Sequence, residues 1–292
     1  MNKGFFPALG TPVDEKGNVC EASFTAQIKD QIAAGASGLL VMGSMGIEPY
    51  IRNGAYQGVA QCGARAAAGK LPVLVGVMDT SIGRVLDRVE ALKDLKIDGV
   101  VSTVPYYNVM TQQNVVNFYT ALADASKFPV YIYDLAVVTK TQVMPETIRQ
   151  LWKHKNIRGI KTGNLVTART LLRSGDRPGN FDLIYSDLDT FDVAYHYGID
   201  KNLDGMFACL PRTTEKMYRA LAAGDRETGA ECLDGIVGLR NLFVETGSVL
   251  GAFTQAMNML GYEGCFAQDY ADYPDEAGKE KIRAFLKKLG EI

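Results

Sequence analysis

Short runs of consecutive apolar residues alternate with longer stretches in which apolar positions recur every three or four residues. The runs Phe5–Gly10, Gly38–Gly43, Val73–Val77, Gly99–Thr103, Val130–Tyr133, Ile157–Lys161, Phe181–Ser186 and Gly205–Cys209 predict strands buried on both faces, as in a parallel sheet. Amphipathic segments near 21–34, 50–68, 80–95, 111–126, 144–154, 165–174 and 188–199 predict the helices between them. Thr111 before Gln112-Gln113-Asn114, and Pro145-Glu146, have the chemistry of helix starts. Leu71-Pro72 and Phe128-Pro129 each launch a strand, where the missing donor of proline does least harm.

Eight strand–helix units over some 210 residues predict an α/β chain of the closed (β/α)8 TIM-barrel type, which typically takes about 250 residues, in preference to an open doubly wound sheet. Beyond residue 211 the strand signals stop, and helical patterns run through 212–223, 226–246, 248–260 and 276–289. Residues 1–224 therefore predict the barrel, and 225–292 a C-terminal helical extension packed on it. No low-complexity linker separates the two, so they read as one compact unit.

Composition narrows the chemistry. The chain has 292 residues, 47% of them hydrophobic, and a net charge of -2 from 31 basic and 33 acidic residues well mixed along it. No basic patch suits nucleic acid, and no apolar stretch approaches the roughly 20 residues needed to span a bilayer. The start, Met1-Asn2-Lys3-Gly4-Phe5-Phe6-Pro7, lacks the apolar core of a signal peptide. Five scattered cysteines (Cys20, Cys62, Cys209, Cys232 and Cys265) form no C-x-x-C pair and suit reduced thiols in a cytoplasm. The two histidines, His154 and His196, lie far apart, so no metal site is expected.

In a barrel the candidates for chemistry close the strands, because active sites sit at the C-terminal strand ends. Lys161 ends the apolar run Ile157-Arg158-Gly159-Ile160 and precedes the turn Thr162-Gly163-Asn164. Desolvation there penalises an ammonium, so the amine can be partly neutral and able to attack a carbonyl carbon. Alone, such a lysine reads more readily as a surface residue opening a helix. Strand two ends in Gly43-Ser44-Met45-Gly46, whose glycines allow a tight turn with backbone N–H groups pointing inward, suited to a carboxylate. Strand four ends near Tyr106-Tyr107-Asn108 and strand five in Tyr133-Asp134. A phenol beside a lysine can move protons during carbinolamine formation and carbon–carbon cleavage.

These residues resemble the pyruvate-dependent class I aldolases and lyases typified by dihydrodipicolinate synthase and N-acetylneuraminate lyase. The resemblance spans essentially the whole chain: Thr11-Pro12 with Asp14-Glu15-Lys16-Gly17-Asn18, the Gly43–Gly46 turn, Pro105-Tyr106-Tyr107-Asn108, Tyr133, and Gly159-Ile160-Lys161. It implies that Lys161 forms a Schiff base with the keto carbon of pyruvate or another 2-oxo acid, with no further cofactor and no metal. It also implies that Tyr133 is the acid/base, that Ser44 links to it, and that Tyr107 completes the relay from a neighbouring subunit. The backbone of Gly43, Ser44 and Met45 would hold the pyruvate carboxylate, and the assembly would be a homotetramer built from dimers.

Departures from the family pattern bear on the second half of the substrate. Met45 stands where a second threonine is usual, Ile47 where glutamate is, and Val138 where the synthase has an arginine that grips the carboxylate of its aldehyde substrate. Losing a bidentate clamp costs an anionic substrate much of its orientation. Asp134, Asp187, Asp189 and Arg212 fall at or just beyond strand ends and are candidates for recognising that half. The expected activity is a Schiff-base lyase: retro-aldol cleavage to pyruvate and an aldehyde, or dehydration of a 3-deoxy-2-oxo sugar acid through the same enamine. Dihydrodipicolinate synthase activity, which Val138 disfavours, and a non-catalytic barrel that binds a 2-oxo acid are the alternatives.

Overall fold

The computed structural model describes residues 1–292. Eight strands alternate with helices: β1 Gly4–Pro7, β2 Leu39–Val41, β3 Val73–Gly76, β4 Gly99–Thr103, β5 Val130–Asp134, β6 Ile157–Thr162, β7 Asp182–Tyr185 and β8 Lys201–Asp204. All pair in parallel, in the order β1-β8-β7-β6-β5-β4-β3-β2. A parallel bridge between Ala8 and Leu40, with Leu9 N–H donating to Leu40 O at 2.9 Å, joins the two ends of that order. The result is a (β/α)8 TIM barrel.

The outer ring consists of α1 Glu21–Ala33, α2 Asn53–Ala67, α3 Ile82–Ala91, α4 Gln112–Ala125, the one-turn α5 Ala136–Thr139, α6 Pro145–Leu151, α7 Leu165–Arg173, α8 Phe191–His196, the one-turn α9 Met206–Cys209 and α10 Pro211–Ala223. Ser81, Thr111 and Asn164 cap α3, α4 and α7 by accepting from backbone N–H groups three residues on, which satisfies donors the helices leave open. Past Gly224, whose φ of 79° ends α10, come α11 Arg226–Glu245, α12 Val249–Met259 and α13 Glu276–Leu289. α11 packs on α10 and also touches α8 and α9, so the extension reaches the barrel wall.

Strand alternation sorts the core into two layers. Phe6, Leu40, Leu74, Val101, Tyr131 and Leu203 fill the barrel interior, while Val41, Val75, Val100, Ile132 and Ile160 face the helices. Low in the barrel, Asp182 accepts from Tyr131 Oη at 3.1 Å and from the Met1 ammonium at 3.1 Å, with Lys201 Nζ 3.6 Å away. Burial and that neighbouring carboxylate push the Tyr131 phenol well above its ordinary range.

The eighth strand differs from the sequence expectation. It lies before Gly205, and Met206–Cys209 form α9. The apolar run from Met206 to Leu210 is wholly buried, and hydrophobicity alone does not separate a buried strand from a buried helical turn. The true strand, Lys201-Asn202-Leu203-Asp204, contains one apolar residue, and its Asn202 is fully buried.

Candidate active site

Register brings the chemistry together. Thr103, Tyr133 and Lys161 are aligned partners on β4, β5 and β6. Residues two apart on a strand share a face, so Tyr133 and Lys161 point inward above Tyr131 and Gly159. Gly159 has a packing reason: a Cβ there would sit 2.7 Å from the Tyr131 ring and from Asp182 O.

Lys161 is 7% exposed, and its Nζ lies 4.0 Å from the centroid of the Tyr133 ring. No carboxylate lies within salt-bridge distance of it, so a ring face rather than an ion pair meets the amine. Tyr133 Oη is 3.4 Å from Ser44 Oγ, which brings the β2 turn to the β5 end across the barrel mouth. Neither the Ser44 nor the Met45 N–H donates to any protein acceptor, leaving two free backbone donors beside the phenol. Thr11 Oγ1 donates to Gly46 O at 2.7 Å and fixes the far side of the turn. The Met45 side chain lies over Gly205, where a Cβ would be 2.0 Å from Met45 Cγ, so the end of β8 is walled by a thioether.

The remaining expected residues are arranged differently. Asp134 is buried with both oxygens engaged, accepting from Val143 N–H at 3.1 Å and Thr162 Oγ1 at 2.8 Å. It thereby braces the residue that follows Lys161, and burial pushes its carboxyl above the usual range. Asp187 accepts from Thr190 Oγ1 at 2.8 Å and Asp189 N–H at 3.2 Å, folding the loop after β7 on itself. Burial pushes the neighbouring Tyr185 phenol up to about 12. Asp189 binds Arg240 of α11 through two contacts, at 2.6 and 2.9 Å, and that guanidinium holds its carboxyl below the usual range. Arg212 is engaged with Gly290 O at the C-terminus. Val138 is 52% exposed on α5, and Tyr107 is 83% exposed within the single chain.

Two groups escaped the sequence reading. Asp204 ends β8, caps Met206 N–H at 2.8 Å with one oxygen, and is close enough to Lys161 to feel its charge. Loss of hydration nevertheless pushes its carboxyl above the usual range. It was hidden by the misplaced eighth strand. Thr103, 2% exposed beside Tyr133, has a buried hydroxyl with no partner, and a hydroxyl closing an apolar strand was its only signal.

The chain matches the model of the Dihydrodipicolinate synthetase family over residues 1–286. It belongs to that family. A 4-hydroxy-tetrahydrodipicolinate synthase of Escherichia coli O139:H28 is 32% identical over 303 aligned positions covering 99% of each chain. The corresponding protein of Agrobacterium fabrum is 30% identical over 260 positions covering 85% of each. Among solved structures, a pyruvate complex of a prophage protein of the dihydrodipicolinic acid synthase family from E. coli K12 superposes with a TM-score of 0.91 at 20% identity, covering 100% of both chains. Proteus mirabilis N-acetylneuraminate lyase superposes at 0.90 and 18% identity, covering 100% and 99%. Membership of the dihydrodipicolinate synthetase family makes the chain an enzyme, a lyase of the class I aldolase type. No cluster of three or more His, Cys, Asp or Glu is arranged to hold a metal ion, and no helix is long and apolar enough to cross a membrane.

Proposed function

We propose that Lys161 forms a Schiff base with pyruvate or a related 2-oxo acid and that the imine drives reversible aldol cleavage. The observation carrying this reading is the line Lys161–Tyr133–Ser44 at the barrel mouth, with Nζ 4.0 Å from the phenol ring and the two hydroxyls 3.4 Å apart. The neutral amine attacks C2, Tyr133 delivers a proton to the departing oxygen, and water leaves as the imine forms. The Tyr133 phenolate takes the proton of the C4 hydroxyl as electrons flow into the protonated imine and the C3–C4 bond of the bound 2-oxo acid breaks, releasing an aldehyde and leaving an enamine that Tyr133 can reprotonate. Protonation at C3 and hydrolysis, which returns the water, then free pyruvate and Lys161. The free N–H groups of Ser44 and Met45 next to Gly43 suit the substrate carboxylate. Tyr107, exposed on one chain, would join the relay of a neighbouring copy in a dimer of dimers. Five free cysteines support a reducing, cytoplasmic setting.

For the second half of the substrate we propose a neutral, hydroxylated portion. Val138 offers no charge, Arg240 is already held by Asp189, and Asp187 and Asp204 repel a second carboxylate. The curated relatives favour a second reading, the synthase reaction with a carboxylate-bearing aldehyde.

The test is intact-mass spectrometry after incubation with pyruvate and borohydride, with Lys161→Ala alongside. An adduct on the native chain that the variant lacks is expected. No adduct with pyruvate, 2-oxobutyrate or a 3-deoxy-2-oxo acid would remove the Schiff-base reading. Pyruvate consumption with a panel of aldehydes then separates the two substrate classes: faster turnover of neutral hydroxyaldehydes supports the first, and faster turnover of the carboxylated aldehyde the second.

A further inference from the structure

The turn that carries Ser44 is held in an unfavourable conformation. Met42 and Ile47, on either side of it, have φ of 54° and 50°. That region strains any residue with a Cβ, a β-branched one most. The other two non-glycine residues with positive φ, Ala68 and Lys140, close helix C-termini, where the conformation is ordinary. The strain beside Ser44 therefore needs something to sustain it.

Side chains packed behind the turn link its two ends. Glu48 follows Ile47 directly, is 0% exposed, and is paired with Arg88. Arg88 also reaches Asp79 at 3.0 Å, and Asp79 accepts from Arg84 Nε at 2.6 Å. The Arg88 guanidinium lies 5.2 Å from the centroid of Tyr56, whose hydroxyl donates to Gly76 O at 2.6 Å. Gly76 in turn is where Met42 O comes in, to 1.8 Å of any Cβ built there. Stability alone explains this arrangement poorly. A buried ion pair gains little over well-packed apolar residues, and Glu48 Oε2 has no partner at all.

We infer that the buried Arg88–Glu48 pair is a positioning clamp, holding the 42–47 turn in its strained form so that the Ser44 hydroxyl stays within reach of Tyr133. The inference rests on the Schiff-base reading above. Neither residue touches substrate; each acts through the turn. A single imine on Lys161 needs only the proton that Tyr133 already carries, whereas repeated turnover needs that proton renewed through Ser44, so releasing the clamp affects trapping and kcat unequally.

The test compares Glu48→Gln with Glu48→Gln/Ile47→Gly, because glycine adopts a φ of 50° without strain and makes the clamp unnecessary. Glu48→Gln is expected to lower kcat at least tenfold, keep KM for pyruvate and borohydride trapping within twofold, and raise the solvent deuterium isotope effect on kcat. Adding Ile47→Gly is expected to restore kcat at least threefold. If Glu48→Gln does not fold, Glu48→Leu/Arg88→Leu removes both charges together and must show the same split between kcat and trapping. The clamp is overturned if the folded variant keeps kcat within twofold, if trapping falls in step with kcat, or if Ile47→Gly rescues nothing. Failure of the Schiff-base reading is visible separately, as absence of any adduct on the native chain, and it would take the clamp with it.

Discussion

The two ends of the barrel use the same chemistry to opposite effect. Low in the barrel, Tyr131, Lys201 and Asp182 form a closed set in which the carboxylate accepts from a phenol and faces cations. Two residues further along the same strand, Tyr133 stands beside Lys161, but no carboxylate lies within salt-bridge distance of that lysine. The neighbouring polar groups at this end are incompletely used: the free N–H groups of Ser44 and Met45, the Thr103 hydroxyl, and one oxygen of Asp204. A satisfied buried network rigidifies a fold, and an unsatisfied one costs stability that only a ligand can return. A satisfied and an unsatisfied polar network are thus separated along the length of a single strand.

Mutations at the two ends should therefore diverge. Lys161→Ala is expected to abolish turnover, by about 10⁴-fold or more for a covalent nucleophile, while thermal unfolding shows no loss of stability. An equally large fall in stability would mean that the amine belongs to the structural set. Tyr133→Phe is expected to cost about 10²–10³-fold in kcat, the range for a lost proton donor, whereas Tyr131→Phe costs about 1 kcal/mol of stability and little activity. Urea unfolding and steady-state kinetics on both variants would blur the comparison if these effects were reversed. Asp182→Asn, which leaves Lys201 only its longer contact to Asp200, is expected to destabilise the fold by about 2 kcal/mol with kcat per folded molecule unchanged.

The smallest effect concerns pH. Burial holds the Asp204 carboxyl above the ordinary value of 3.8, so the folded state retains that proton more tightly than the unfolded chain. The native fold therefore loses stability as pH rises from about 4 through the elevated folded value, and Asp204→Asn removes that loss. The variant should match the native chain below pH 4 and exceed it in stability near neutrality. Melting curves across this range that stay parallel would show that Asp204 ionises freely.

Much of this was legible along the chain. Seven of the expected strands overlap observed ones, because strands buried on both faces leave apolar runs that helices on a barrel surface do not. Lys161, Tyr133 and Ser44 were legible as strand-end residues once the barrel was inferred. The eighth strand was not, since a buried polar Asn202 and a buried helical turn after it inverted the usual hydrophobic signal. Asp204 was lost with it. The roles of the expected rim residues also depended on contacts: Asp134 turned out to be occupied by Thr162 and Val143, and Asp189 by an arginine fifty-one positions away.

By itself the sequence determined seven of the eight strands, the barrel and which side chains close those strands, because periodicity and local turn propensity act over a few residues and need no knowledge of distant partners. Tertiary structure alone decided which polar groups are satisfied. It paired Asp182 with Tyr131 at one end and left Lys161 without a carboxylate at the other. It also set Glu48 against Arg88 behind a strained turn, joining residues forty positions apart. Hydrogen bonding and desolvation depend on what folding brings within about 3–4 Å, and that distance is fixed by register and packing rather than by spacing along the chain.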